Sequence, residues 1–498
     1  MKKLLIILIL IVFGIQVNAT NYYVKTGGSD AASGLSDALA WETVTKVNSS
    51  MASFSAGDTI FFNRGDTFSG VRISIGKEGS DGTPIVLSAY GTGEKPIITS
   101  ATGAIYIGGT GRGYWSVNNL DLRTSHATGY TMYRDSWPGD TLGPMPGWEI
   151  SYCTIYGVIF LSGPNIHIHH NEFDGSTRAT VGGGITLREG HSAGALIEYN
   201  EIHEYGDRGI WIMRCASNGI IRNNTIYDCY EGAGGDHWGT PVNLDGYSWP
   251  IYNWEVYNNY FYDNDGVGIS MENGFNHRFY NNIVVGGRLG VSSYHYTGAY
   301  GDMRVPPSND SIYYNLFINC NQGILCFSSN TNIIHNNVFW KGNTIGTERY
   351  GVYIHPNDAY GGSNQIINNI FTGGGWTNAV RSSVALADAV DVFDYNVATM
   401  ASGDIWYGST LANLQANGHM NNGIFVEPDF INPGVDFRLQ GTSDAINAGT
   451  SLGYLLDLAG STVGSSPDIG AYEYNGPHYL RVGNKLQTLD GKLIIILQ

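Results

Sequence analysis

The chain has 498 residues, of which 14% are charged, and its 43 acidic and 26 basic residues give a net charge of −17 at neutral pH. So negative a protein lacks the basic face that phosphate backbones require, and nucleic acid is therefore not an expected partner. The 68 glycines and the 12% of aromatic residues are typical of a turn-rich β protein rather than of a disordered chain.

The amino terminus carries the pattern of an export signal. Lys2 and Lys3 precede an apolar run over residues 4–13, and a small-residue cleavage site ends at Ala19. Loss of the two lysines would take the net charge to about −19. No second long apolar run follows, so we expect no membrane span. The predicted location is secreted, either periplasmic or extracellular.

An amphipathic helix is predicted after this signal. The apolar residues Trp41, Val44, Val47, Met51 and Phe54 recur every three or four positions, after a start signal at 36–37. Such a helix would cover one open end of a sheet, where unpaired strand edges otherwise invite aggregation.

Between residues 115 and 396 one short phrase recurs: an apolar residue, a polar pair ending in Asn, then Ile, Val or Phe. The recurring asparagines are Asn171, Asn200, Asn224, Asn259, Asn282, Asn315, Asn337, Asn369 and Asn396. Their spacing of 22 to 35 residues is too short for helix pairs, and apolar and polar residues alternate around each of them. This predicts an all-β solenoid, a parallel β-helix of about ten or more coils. The alternative is an ordinary β-sandwich with polar loops.

Asparagine suits the corner of such a coil. It tolerates a left-handed backbone, and its side-chain amide can hydrogen-bond the Asn of the next coil. The longest intervals carry insertions at 231–250, 294–309 and 342–363. Loops on a rigid scaffold are the usual place for binding groups.

The sequence divides into five segments by these features. They are a signal peptide (1–19), an N-terminal cap with the first coils (20–110), the β-helix repeats (111–400), C-terminal coils with a closing segment (401–476) and a short appended tail (477–498). Residues 467–473 (PDIGAYE) are expected to close the last coil. Five cysteines form no disulfide framework, so we expect buried thiols, while a Cys215–Cys229 bridge between neighbouring coils stays open.

A second set of aligned strands predicts two outward columns. Strands of this set begin with Gly or another small residue, and their second and fourth residues are apolar and must face inward, so the third and fifth face outward. One column runs Thr186, Trp211, Asn243, Ser270, Ser292, Leu325, Tyr353. The other runs Arg188, Met213, Asp245, Glu272, Tyr294, Phe327, His355.

This alignment places Asp245 and Glu272 on adjacent coils, about one strand spacing apart. Two carboxylates so close repel, so one pKa should rise unless a cation lies between them, and perturbed acids in a cleft are functional candidates. Tyr294 follows on the next coil, with His295 beside it. The alternative reading is a pair of solvated surface acids.

The remaining candidates would bind substrate. Trp211 and Tyr353 offer flat apolar surfaces that suit sugar rings, and Arg188 or Arg214 could pair with a uronate carboxylate or a sulfate. A snorkelling arginine and an aromatic cover of the stack are the alternatives. The other candidates are Asn243 and His355 on the columns and Asp236 and His237 in the insertion.

Several segments carry a family resemblance. They are 22–41 (YYVKTGGSDAASGLSDALAW), 56–65 (AGDTIFFNRG), 90–97 (YGTGEKPI), the repeated NN-I/F phrase and 467–474 (PDIGAYEY). Across residues 21–474 the chain resembles the secreted right-handed parallel β-helix proteins of the pectin-lyase-like superfamily. The resemblance implies the right-handed fold and a polysaccharide lyase, glycoside hydrolase or uronate epimerase, although some such proteins only bind.

In pectate lyases acidic calcium ligands lie along this ribbon, and Asp245 and Glu272 match that place. Neither column carries the lysine of alginate- and chondroitin-type lyases, and the Gly-His-Gly and Arg-x-Lys motifs of polygalacturonases are absent from the sequence.

Our leading expectation is cleavage of an acidic polysaccharide by β-elimination. Tyr294 or His295 would be the base, Arg188 or Arg214 would neutralise the uronate, and Asp245 with Glu272 would hold calcium. The same two carboxylates could instead form a hydrolase pair. A carbohydrate-binding surface protein without catalysis is the third hypothesis, and in each case we expect a monomer.

Overall fold

The computed structural model describes most of the chain after the export signal. The described residues are 19–125, 129–134, 143–176, 183–188, 192–214, 217–231, 239–246, 251–294, 309–329, 331–355, 362–399, 405–406, 409–475, 487–489 and 492–494. Three long parallel sheets dominate them, with 14, 13 and 12 strands, which we call sheets A, B and C.

Sheet A contains, in spatial order, Asn21–Val24, Thr59–Asn63, Ile85–Tyr90, Trp115–Asn118, Glu149–Ser151, His167–His169, Leu196–Glu198, Ile220–Arg222, Glu255–Tyr257, Arg278–Tyr280, Ser311–Tyr313, Ile333–His335, Asn364–Ile367 and Val390–Asp394. Sheet B contains Thr67–Ser69, Ile97–Ser100, Asp121–Thr124, Thr154–Tyr156, Glu172–Asp174, Glu201–His203, Thr225–Tyr227, Tyr260–Tyr262, Ile283–Val285, Leu316–Ile318, Val338–Trp340, Ile370–Thr372 and Val397–Ala398.

Sheet C contains Ile73–Ile75, Ile105–Ile107, Tyr130–Arg134, Val158–Leu161, Ile185–Leu187, Arg208–Met213, Thr240–Asp245, Val267–Glu272, Leu289–Tyr294, Gln322–Phe327, Tyr350–His355 and Asn378–Ser382. Three further pairs are Ile251–Tyr252 with Gly274–Phe275, Phe430–Asn432 with Asp436–Leu439, and Gln487–Leu489 with Lys492–Ile494. The helices are Asp37–Leu39, Val44–Ser50, Met51–Ser53, Leu386–Ala389 and Leu411–Ala416.

Each coil contributes one strand to sheet A, one to sheet B and one to sheet C, and then climbs to the next coil. Because successive residues of a strand face opposite sides, the apolar residue in the middle of each short strand points inward. Ile221, Ile226 and Ile210 illustrate this in sheets A, B and C, and all three are fully buried. The interior is one continuous apolar cluster from Val24 to Met420. The predicted right-handed parallel β-helix is therefore confirmed.

The corner between sheets A and B carries the predicted asparagine ladder. Asn282 shows the pattern: its Nδ2 donates to Asn315 Oδ1 at 3.1 Å, and its own Oδ1 accepts from Asn259 Nδ2 at 3.0 Å. The ladder asparagines are buried, so these bonds replace water for groups that would otherwise be unsatisfied. One detail of the prediction was wrong. The left-handed backbone belongs to the residue before each ladder Asn, such as Asn281 with φ 55°.

The N-terminal cap differs from the prediction in its start. The α-helix runs over Val44–Ser50, and Thr43 is its N-cap, because the Thr43 side chain accepts from the Lys46 amide. Trp41 lies outside the helix, since its amide donates to Tyr23 and its carbonyl accepts from Lys25. Ser36 precedes only the short 3-10 helix Asp37–Leu39.

Residues 430–472 pack along the outside of the solenoid. Leu414 and Met420 belong to the interior cluster, whereas Phe430, Phe437 and Ile469 pack on the outer face of sheet B. A cavity of about 300 Å³ remains beside this cover, between Tyr260, Tyr262, Leu316 and Phe437. Residues 467–473 lie beside the solenoid, where Asn336 Nδ2 donates to the Asp468 and Gly470 carbonyls.

Cys153, Cys229, Cys320 and Cys326 are free and buried, as expected. The free thiol of Cys229 contradicts a bridge with Cys215, a residue that lies outside the described ranges. Within the ranges given above, no helix is long and apolar enough to cross a membrane. The predicted export signal (1–19) and most of the predicted tail (477–498) lie outside the described residues.

Candidate active site on sheet C

The register of sheet C reproduces both outward columns of the sequence alignment. Trp211 pairs with Asn243 and Asn243 with Ser270. In the second column Met213 pairs with Asp245, and the column continues through Glu272, Tyr294, Phe327 and His355. Asp245 and Glu272 are therefore direct register partners on adjacent strands. Their predicted placement is confirmed, and their roles stay predictions.

The two carboxylates are held by neighbours in the other column. Trp211 Nε1 donates to Asp245 Oδ2 at 3.1 Å, and Asn243 Nδ2 donates to Glu272 Oε1 at 3.0 Å. Asp245 is 8% exposed, while Glu272 is half-buried. Each donor sits one coil before its acceptor, because the outward residue of one strand leans over the next strand in the stack. Hydrogen bonds from residues of the first column therefore hold both carboxylates of the second column in place.

Burial and the nearby charge of Asp245 together raise the pKa of Glu272 to about 7, and burial is the larger cause. The Asn243 and Ser270 hydrogen bonds and the Arg208 charge oppose that shift in the pKa. A glutamic acid whose pKa lies near neutrality can give a proton and take it back under physiological conditions. The predicted pKa rise in one member of the pair therefore occurs at Glu272.

Two charged residues beside the pair were missed from the sequence. Arg208 Nη1 lies 2.7 Å from Asp207 Oδ2, and the Arg208 guanidinium lies 4.1 Å from the centre of the Trp211 ring. Arg208 is only 6% exposed. The sequence signal was available: Arg208 is the first residue of its strand, directly before Gly209. Our alignment began at that Gly and so excluded it.

Asn243 presents a second feature of the site. It is 2% exposed, and its Oδ1 has no hydrogen-bond partner among the described residues. Its carbonyl oxygen and the Asp245 and Glu272 carboxylates are the hard oxygen donors that calcium takes. The donor set thus fits the chemistry of calcium, although calcium needs six to eight oxygens and these three side chains supply only part of that number.

The predicted arginines lie at the edge of this centre. Arg188 follows strand Ile185–Leu187 and is 5% exposed, with its guanidinium 5.7 Å from the Phe160 ring centre. Arg214 has a left-handed backbone (φ 50°), and its amide donates to the Asp245 carbonyl at 2.8 Å. Arg214 therefore adjoins the carboxylate pair through its backbone, whereas Arg188 lies a coil before Met213.

The aromatic candidates are arranged differently from one another. Tyr294, Phe327 and His355 stack face to face, with ring centres 4.6 and 4.7 Å apart. Stacking of this kind covers ring faces and leaves edges for a ligand. Tyr353 instead meets His355 at 76°, and Arg381 lies 5.7 Å from the Tyr353 ring centre. Tyr353 therefore offers a better surface for the face of a sugar ring than the stacked rings of Tyr294, Phe327 and His355.

Three further candidates, Asp236, His237 and His295, lie outside the described residues. Their roles stay predictions.

Comparison with known proteins agrees with the fold. Residues 103–239 match the family model described as "Right handed beta helix region", which is less than half of the chain. No curated protein matches the sequence.

Solved structures of similar fold include enzymes that act on carbohydrates. A GH136 lacto-N-biosidase from Eubacterium ramulus is 15% identical, with 68% of this chain and 66% of that chain covered and a TM-score of 0.42. Pectate lyase Pel9A is 16% identical, with 92% and 98% covered and a TM-score of 0.39. The PL6 alginate lyase AlyGC is 15% identical, with 78% and 53% covered and a TM-score of 0.46. The chain thus spans less than two thirds of the first and third of these structures, and the likeness concerns the fold alone.

Proposed function

We propose that this protein is an exported carbohydrate-active enzyme that cleaves a polysaccharide in a groove along the outer face of sheet C. The observation that carries the proposal is the register pairing of Asp245 with Glu272, together with the rise in the pKa of Glu272 to about 7. Acids on an ordinary protein surface seldom combine direct pairing with a second carboxylate and a raised pKa, whereas two carboxylates that work as a catalytic pair need both features.

The chemistry that this pair supports best is glycoside hydrolysis. Glu272, protonated below about pH 7, would give its proton to the glycosidic oxygen as the bond to the anomeric carbon breaks. Asp245 would attack that carbon, and water, deprotonated by Glu272, would release the sugar from Asp245 in a second step. Register partners about 4.8 Å apart at Cα favour the close carboxyl spacing of retaining enzymes, roughly 5 Å.

The neighbours would serve this pair by orientation and by charge. The Trp211 hydrogen bond orients Asp245, and the Asn243 amide and the Ser270 hydroxyl hold the carboxyl group of Glu272. The Arg208 charge limits the rise in the pKa of Glu272. Tyr353 lies three strands beyond the strand of Glu272, at a distance of roughly 14 Å. This separation suits a chain of sugars rather than a single sugar.

A second candidate is β-elimination from a uronate polymer, and one observation favours it. Tyr294 is the register partner of Glu272 on the next coil, so a candidate base lies one coil beyond Glu272 and two coils beyond Asp245 and Asn243. Calcium at the oxygens of Asp245, Glu272 and Asn243 would neutralise the uronate carboxyl group and so acidify its α proton. The chain residues would then bind and orient the sugar while Tyr294 takes the proton.

Incubation with a panel of neutral and anionic polysaccharides, with and without a chelator, separates the candidates. New reducing ends without ultraviolet absorbance would support hydrolysis, whereas absorbance of unsaturated uronates that disappears with the chelator would support elimination. Glu272→Gln should abolish either product, while the matched control Glu42→Gln, an exposed residue of the N-terminal cap, should leave it unchanged. No product from any polymer, with binding retained, would instead support the non-catalytic hypothesis.

A further inference from the structure

Away from the groove, one group of side chains combines an imidazole with carboxylates. On the outer face of sheet B, Asp174 and His203 are register partners on adjacent coils, and Glu204 follows His203 directly. One ligand atom from each of the three lies within 4.8 Å of the others. In the part of the chain that the structure describes, this is the one group of three ligating side chains so close together.

The charge around this group is mainly negative, and the Arg123 guanidinium is close enough to attract Asp174 without forming an ion pair with it. Glu172 Oε1 lies 3.8 Å from His203 Nε2, and Glu172 is itself the register partner of Glu201. Within the described ranges, neither Asp174 nor Glu204 forms an ion pair with a lysine or arginine. Carboxylates at this separation repel one another, so a cation bound among them would remove an unfavourable interaction.

The imidazole is already oriented. The His203 ring stacks on Tyr227 with ring centres 5.1 Å apart and planes 11° from parallel, and the Tyr227 hydroxyl donates to Glu201 at 2.8 Å. A histidine whose ring is fixed by its neighbours and faces a carboxylate through one nitrogen is the usual arrangement of a metal ligand. The stacking on Tyr227 does not involve Asp174 or Glu204, the two carboxylates of the group.

We propose that Asp174, His203 and Glu204 bind a divalent transition cation, and that Zn²⁺ fits them best. The bound ion would link two adjacent coils on the outer face of sheet B. One nitrogen and two oxygens match the ligands that Zn²⁺ prefers, whereas calcium takes oxygens alone. Zinc holds such atoms at about 2.0 to 2.2 Å, so the three side chains must close on the ion. All three are only half-buried, which leaves them room to rotate.

The test uses the full-length protein, stripped with a chelator and then titrated with Zn²⁺, Ca²⁺ or Mn²⁺. We expect one Zn²⁺ per chain by elemental analysis and calorimetry, at least about tenfold tighter than Ca²⁺, with a rise in melting temperature on Zn²⁺ addition. Failure to bind zinc stoichiometrically would overturn the proposal.

Variants locate the ion. His203→Ala and Glu204→Gln should each weaken zinc binding by about tenfold or more and abolish the rise in melting temperature. The matched control His167→Ala removes a half-buried histidine of sheet A and should leave both unchanged. Glu204→Gln guards against misfolding, because its side chain is partly exposed. Zinc binding that survives in both variants, or that is lost in the control or in Glu272→Gln, would contradict the site.

Discussion

The corner between sheets A and B and the outer face of sheet C both repeat once per coil, yet they use that repeat in opposite ways. At the corner the same residue returns, so that Asn259, Asn282 and Asn315 form one chain of hydrogen bonds. On sheet C the register is equally regular, but the outward residue changes on every coil, as from Asp245 to Glu272 to Tyr294. Uniform positions hold the coils in register, and variable positions use that register to assemble a site.

The largest expected effect is at the variable face. Glu272→Gln keeps the shape of the side chain but removes its titratable proton, so turnover should fall by about 10²- to 10⁴-fold, the range for loss of a general acid. In the wild type the active form is protonated, so the activity should fall as pH rises above about 7, the pKa of Glu272. A pH–rate profile of the wild type, beside the residual rate of the variant, checks both. A rate that keeps rising well above that pH would argue against an acid role.

Breaking the uniform corner should cost stability instead. Asn282→Ala removes a fully buried amide that bonds Val256 and Asn315, and it leaves the Asn259 backbone amide without the Asn282 Oδ1 acceptor, so we expect a loss of about 3 kcal/mol in the free energy of unfolding. Denaturant unfolding measures it. Asn413→Ala, at an exposed asparagine of the helix Leu411–Ala416, is the control and should change stability by less than about 0.5 kcal/mol. Equal effects of the two variants would mean that the ladder contributes nothing special.

The corner between sheets C and A carries a buried acid in place of a ladder asparagine. There Asp310 takes a ladder position: its Oδ1 accepts from the His277 amide at 2.9 Å, and burial raises its pKa to about 8. Unfolded, this carboxyl ionises near pH 4, so the wild type should lose stability as pH rises from about 4 to about 8.

Asp310→Asn has no such proton to lose. Between about pH 5 and about pH 8 its free energy of unfolding should rise relative to that of the wild type by roughly 3 to 4 kcal/mol, measured by chemical unfolding at both values. A difference independent of pH would show that Asp310 is already ionised in the folded protein.

The smallest expected effect concerns the orientation of Asp245. Trp211→Phe keeps an aromatic ring beside Arg208 but deletes the Nε1 donor to Asp245. We expect kcat to fall by about tenfold, the equivalent of one lost hydrogen bond of about 1.4 kcal/mol, while the melting temperature stays nearly constant. A change in KM alone would instead assign Trp211 to sugar binding.

The repeats made much of this predictable from the sequence. The ladder asparagines and the alternation of apolar residues fix the register, and the register places Asp245 beside Glu272 without any further information. Three features were out of reach or misjudged for physical reasons. The helix begins only at Val44, after its N-cap Thr43, because backbone hydrogen bonds to Tyr23 and Lys25 hold Trp41 in a bridge. Arg208 was missed because the aligned strands began one residue after it, although its contact with Trp211, between side chains of one strand, is not something that periodicity reports. The Asp174 and His203 group depends on a cross-coil contact.

The central claim is that the solenoid forces Asp245 and Glu272 to share one electrostatic environment, and a double-mutant cycle tests it most directly. The free energy of unfolding would be measured at about pH 8 for the wild type, Asp245→Asn, Glu272→Gln and the double variant. If the two charges repel, each single change relieves the same repulsion, so the two effects should fall short of additivity by about 1 kcal/mol or more. Effects that add to within about 0.3 kcal/mol would show that the two carboxylates do not interact. That result would contradict the proposed pairing of Asp245 with Glu272 in one active site.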